Sequence, residues 1–193
     1  MNTGEDASTR TTPKVSPLGN RVHPLGKVGK IRIEPVAEHM RLFEAGAVRL
    51  GLESRELNDT AISKAFENDP EALAAAMAFN DNELPVDEGA SLHVFEAATG
   101  EEILRFDMFE DGPHYHYMHK GEKYHIYVTY DVAANGDMLE WAKQALSERL
   151  DLLLTNAGWA GLADQVDPEL VSAALAGVED MASGLTAPIA GRK

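Results

Sequence analysis

The chain has 193 residues, 44% hydrophobic and 25% charged, with a formal net charge of −15 and no cysteine. That length suits one domain with a core of ordinary size, and the balance of apolar and charged residues excludes disorder of the whole chain. Zero cysteines exclude disulfides, thiolate metal sites and cysteine nucleophiles, so any metal must sit on nitrogen and oxygen ligands.

Residues 1–30, rich in Thr, Pro, Gly and Ser, read as a disordered basic leader. Six basic residues against two acidic ones give residues 1–32 a net charge of +4, which leaves −19 on the remainder. The leader is either a solvated extension or a docking arm for an acidic partner. The acidic body repels phosphate backbones and anionic lipid, so neither nucleic acid nor membrane is expected as a partner; a protein partner or a homo-oligomer is. With no membrane-length apolar run and no secretory leader, a cytoplasmic location is the expectation.

Residues 31–182 read as a single α+β domain, with a helical part at 34–80, a sheet at 90–131 and helices at 137–182. Residues 183–193 read as a flexible tail. Val36, Met40, Phe43, Ala47 and Leu50 recur at helical spacing behind Pro35, which predicts an amphipathic helix. Shorter helices are predicted to open near Asp59, with Ile62, Ala65 and Phe66, and at Asp69-Pro70, with Leu73 and Met77 inward. Asn80 to Gly89 reads as a loop.

The period then falls to two. Leu92 and Val94 alternate with His93 and Phe95, Ala98-Thr99-Gly100 reads as a hairpin loop, and Ile103 to Phe109 alternates again. Leu92, Val94, Leu104, Phe106 and Met108 are expected on one face, and His93, Phe95, Ile103, Arg105 and Asp107 on the other. A second hairpin, 114–118 with 124–130, completes a small antiparallel meander of about four strands. Asp137 begins a long helix as a capping box with Glu140; its stripe, including Trp141, Ala142, Leu146 and Leu150, is predicted to cover one sheet face. Ala157-Gly158 ends it, and a last helix opens at Asp167-Pro168.

All 5 tyrosines and four of the 7 histidines fall within 112–130. Pairing Met118 with His125 and His116 with Tyr127 sorts this hairpin into a Tyr-rich core face and a face carrying His114, His116, Met118, His125, Tyr127 and Thr129. Two imidazoles one residue apart on a strand point the same way. A third from the next strand makes His114, His116 and His125 a candidate nitrogen set for a divalent transition metal, with Asp107 or Glu110 as carboxylate. Without metal, the same residues with Tyr127, Arg105 and Asp107 form a candidate ligand-binding surface. Arg105 would fork a carboxylate, and the imidazoles would move protons near neutral pH. Plain packing is the third reading, since Tyr and His sit comfortably on half-buried strands.

The run Arg105-Phe106-Asp107-Met108-Phe109-Glu110-Asp111-Gly112-Pro113-His114-Tyr115-His116-Tyr117, followed by Asn135-Gly136-Asp137 and Trp141, resembles a family of small uncharacterised bacterial proteins. These carry a Phe-Asp strand, an acidic turn, Pro-His-Tyr-His-Tyr and a Gly-Asp helix start. The resemblance spans about residues 92 to 160 and implies that the hairpin and following helix form one unit; it carries no activity. Two functions follow as expectations. One is a small accessory or regulatory subunit that binds a partner enzyme or a small polar ligand through the His/Tyr face. The alternative is a metal-dependent enzyme using the same hairpin.

Overall fold

The computed structural model describes residues 14–15, 21–23, 25–29, 32–79, 83, 86–122 and 124–185. Nine strands form one antiparallel sheet in the order β1-β2-β3-β9-β8-β7-β6-β5-β4. They are β1 (Lys14–Val15), β2 (Arg21–His23), β3 (Gly26–Gly29), β4 (Met40–Ala45), β5 (Val48–Leu57), β6 (Asp87–Glu96), β7 (Glu102–Phe109), β8 (His114–Met118) and β9 (His125–Thr129). A sheet of this size corrects the expected four-strand meander. Part of the predicted leader lies outside the described residues; its described positions 14–15, 21–23 and 26–29 are strands, and β3 pairs with β9.

The amphipathic helix predicted from Val36 to Leu50 is instead the β4–β5 hairpin, turning at Gly46 with φ +71°. Val48, Leu50 and Leu52 also fit a period of two, and ten residues of pairing between β5 and β6 decide for strand. Helices α1 (Asp59–Ala65) and α2 (Pro70–Phe79) open where predicted, with the Asn58 side chain capping α1.

The meander registers follow the alternation. Leu92 opposes Phe106, His93 opposes Arg105, and Met118 opposes His125. One residue departs: a bulge between Val94 and Phe95 sets Phe95 against Glu102, and Ile103 joins the apolar core. Ile103 therefore does not belong to the polar face.

Two helices, rather than one, cover the apolar face: α4 (Met138–Asn156) and α6 (Pro168–Leu185), with the short α3 (Val132–Asn135) and α5 (Ala160–Ala163) between strands and helices. Asp137 caps α4 by accepting from Glu140 N–H, while the Glu140 carboxylate turns to Lys143 rather than back to the cap. Leu146, Leu150 and Leu154 of α4 and Val171, Leu175 and Val178 of α6 are buried against Leu50, Val94, Phe106 and Ile126 of the sheet. Phe106 stacks on Tyr115 and meets Trp141 edge-on, at centroid distances of 5.9 and 6.0 Å.

Helix α6 rides close over β4. A Cβ at Gly177 would lie 2.7 Å from the Phe43 ring. Gly177→Ala is therefore expected to lower stability by about 1–3 kcal/mol, read as a reduced midpoint in urea unfolding with unchanged slope. An unchanged midpoint would show that the helix shifts freely. No described helix is long and apolar enough to cross a membrane.

Candidate functional site

The opposite face of the sheet carries polar groups, and many are buried. Antiparallel pairing aligns Glu53, Ser91, Asp107 and His114 in one row across four strands, and Gly51, His93, Arg105, His116 and Tyr127 in the next. Same-parity residues point the same way, so both rows project to one side. The backbone at 32–36 crosses this side. The Ile33 carbonyl accepts from Arg55 Nη2 at 2.7 Å and Arg105 Nη1 at 3.0 Å, and Val36 N–H donates to Glu53 at 2.9 Å. Beside it, Ile33 joins Leu57, Ile62, Phe66 and Phe109 in a second, smaller apolar cluster under α1 and α2.

Beneath that crossing lies a chain of charges. Arg55 binds Glu53 at 2.9 Å; His93 reaches Glu53 through Nε2 at 3.0 Å and Glu102 through Nδ1 at 2.7 Å; Arg105 forks Glu102 with two bonds of 2.7 Å. Burial alone would push the carboxyls up and His93 down. The contacts reverse both tendencies. Arg105 and His93 bring Glu102 down to about 2, His93 and Arg55 hold Glu53 below its usual range, and Glu102 and Glu53 raise His93. A ring between two carboxylates donates from both nitrogens, as imidazolium does. With Asp107, three acids then balance three bases.

Asp107 is the second centre. Its Oδ1 accepts from Ser91 Oγ at 2.5 Å, and its Oδ2 lies 3.1 Å from His116 Nε2 and 3.2 Å from His114 Nε2. Despite burial, these two rings and Arg105 hold its carboxyl well below the ordinary range. His116, buried among neighbouring positive groups, is lowered to about 4 and is neutral at pH 7, even with Asp107 opposing the shift.

The acidic turn aims the His114 ring. Asp87 accepts from the backbone N–H of Gly112 at 3.0 Å, which holds the Gly112 carbonyl where His114 Nδ1 donates to it at 2.6 Å. Tyr127 stacks on the other side of the ring, 4.3 Å between centroids. With Nδ1 committed as a donor, His114 Nε2 points at a carboxylate oxygen. That contact requires a proton or a metal ion between them.

Asp107, His114 and His116 are thus a group whose ligand atoms all lie within 4.8 Å of one another, and it could hold a metal ion. Metal–ligand bonds of about 2.1 Å put neighbouring donors about 3.0 Å apart at right angles and about 3.4 Å apart at tetrahedral angles. The two nitrogen–oxygen separations fall between these.

The structure therefore redistributes the predicted residues. His114, His116 and Asp107 come together; Tyr127 packs on them. His125 stands outside this group, its ring edge-on to His116 with centroids 4.7 Å apart; the group comprises two of the three predicted histidines together with Asp107. Arg105 has its fork engaged by Glu102, and Glu110 is exposed on the turn. Sequence reasoning missed Glu53, Arg55, Ser91 and Glu102. The first two needed 48–57 to be read as a strand, which puts Glu53 and Arg55 on one face; Glu102 needed the bulge.

Helices on one face of an antiparallel sheet, and a buried histidine–carboxylate group on the other, define an α+β domain with a candidate metal-ligating site. The chain belongs to the family described as Domain of unknown function (DUF7700), which matches residues 42–182. The match includes Asp107, His114 and His116; the 32–36 crossing and β1–β3 lie outside it. Comparison with curated proteins and with solved structures gives no match.

Proposed function

We propose that this protein binds one divalent first-row transition metal ion through Asp107 Oδ2, His114 Nε2 and His116 Nε2, leaving open positions for a small oxygen-rich ligand. The observation that carries this reading is the His114 ring: its Nδ1 is spent on the Gly112 carbonyl while its Nε2 faces the carboxylate oxygen that His116 also faces. A histidine metal ligand is oriented in this way, its far nitrogen donating to a fixed acceptor. Two nitrogens and one oxygen suit zinc, iron, cobalt or nickel better than calcium or magnesium.

Burial favours this over a contact surface for a partner. His116 and His125 are 7% and 6% exposed, too little to meet another protein without rearrangement. An open position on the ion would supply Lewis-acid activation or water-pKa lowering.

Untagged protein from cells grown in metal-replete medium is expected to retain about one equivalent of metal. Saturating Zn2+ at a hundred times Kd adds about 2.7 kcal/mol, or about 5–10 °C in Tm. His114→Ala and Asp107→Asn should each abolish that shift. Elemental analysis finding less than about a tenth of an equivalent, with no thermal shift from Zn2+, Fe2+, Co2+ or Ni2+, would sink the reading.

A further inference from the structure

The two histidine ligands differ in one respect. His114 has its far nitrogen anchored by a backbone carbonyl, whereas His116 Nδ1 is buried and has no hydrogen-bond partner among the described residues. A ligating imidazole whose Nε2 holds the ion carries its proton on Nδ1, and that N–H needs an acceptor. Buried polar atoms without partners are rare enough to require explanation.

A second orphan lies beside the first. His125 Nδ1 is likewise buried and unpartnered, and the rings of His116 and His125 stand edge-to-face with centroids 4.7 Å apart. His125 is held there by β3: it pairs with Gly29, and a Cβ at Gly29 would collide with its Nε2. Glycine at that position leaves the imidazole room beside the neighbouring backbone.

We propose that His125 is the positioning residue of the metal site, accepting through Nδ1 the hydrogen bond that His116 Nδ1–H donates when its Nε2 holds the ion, a bond that the two unpartnered nitrogens do not make in this structure and that a turn of the adjoining rings would close. The inference rests on the metal reading above. It gives the ring excluded from the ligand set a defined role, which is to fix the tautomer and plane of His116, as Gly112 does for His114.

The test compares wild type, His125→Asn and His125→Leu for Zn2+ affinity, by competition with a chromophoric chelator, alongside melting of the apo proteins. Asparagine keeps a hydrogen-bonding atom at the position of Nδ1; leucine keeps bulk without it. His125→Leu is expected to weaken Zn2+ binding 10–100-fold, and His125→Asn to stay within about threefold of wild type. In 15N NMR of the zinc form, the exchange-protected His116 Nδ1–H should be present in wild type and His125→Asn and absent in His125→Leu. Wild-type affinity in His125→Leu, or equal weakening in both variants, would overturn the assignment while leaving the metal site standing. No Zn2+ binding by wild type would overturn the metal reading and this inference with it.

Discussion

Arg105→Ala is expected to cost about 3–5 kcal/mol of folding stability, the cost of leaving buried charges without their partner. Arg105 is 4% exposed; its Nε and Nη2 bind the two Glu102 oxygens and its Nη1 reaches the Ile33 carbonyl. Removing it leaves Glu102 facing His93 alone and frees one contact holding the backbone at residue 33. Arg105→Lys should also be strongly destabilising, because one ammonium cannot fill a planar fork and a third acceptor at once. The paired replacement Glu102→Leu with Arg105→Met removes both charges and should recover all but about 1–2 kcal/mol of the loss. Urea unfolding of the three variants checks this. If the single and paired variants were equally unstable, side-chain packing rather than charge would be the dominant contribution of Arg105.

Stability is expected to be greatest near pH 6.5 and to fall on both sides. On the acid side, Glu102 is held at about 2 against an ordinary 4.5. Its contribution is whole above about 4.5 and is lost as pH falls towards 2. That is worth on the order of 3 kcal/mol, or roughly 6–12 °C in Tm. Glu53 and Asp107 are lowered as well and add in the same direction, and His116 and His125, buried as neutral rings and lowered to about 4 and about 2, begin the acid loss already below 6.5. On the alkaline side, His93 is raised above 6.5, so its contribution is whole below 6.5 and is lost as pH rises through its folded value. Calorimetric melting from pH 2.5 to 9 reads both limbs. His93→Gln, which cannot titrate, should flatten the alkaline limb and leave the acid limb; an unaltered alkaline limb would assign it to another group.

The site hairpin was legible because strand alternation leaves little freedom. Once Met118 is set against His125, His114 and His116 must share a face, and the same rule brings Asp107 and Arg105 beside them from the preceding strand. The choice among the histidines waited on the register of β7 against β8, which sets Asp107 opposite His114 and leaves His125 one strand further off on β9. The N-terminal half misled for a physical reason. Met40, Phe43, Ala47 and Leu50 satisfy a helical period, while Val48, Leu50 and Leu52 satisfy a strand period, and the deciding ladder to β6 is some forty residues away in the chain. Gly46 at the turn and Gly51, against which Met40, Leu42 and Phe95 crowd, were the local hints of a hairpin.

The bulge at Val94 and Phe95 gives the β6–β7 hairpin an unusual sensitivity to length. Surface hairpins commonly tolerate insertions and deletions. Here, a regular ladder running through the same residues without the bulge would turn Glu102 towards the leucines under α4 and α6 and Ile103 towards His93. Drift in loop length along this lineage should therefore be confined to the tip around Thr99 and Gly100. Deletion of Ile103 keeps Glu102 on the charged face and removes one buried apolar side chain, so it should act as a core defect alone, rather than as a trimmed loop.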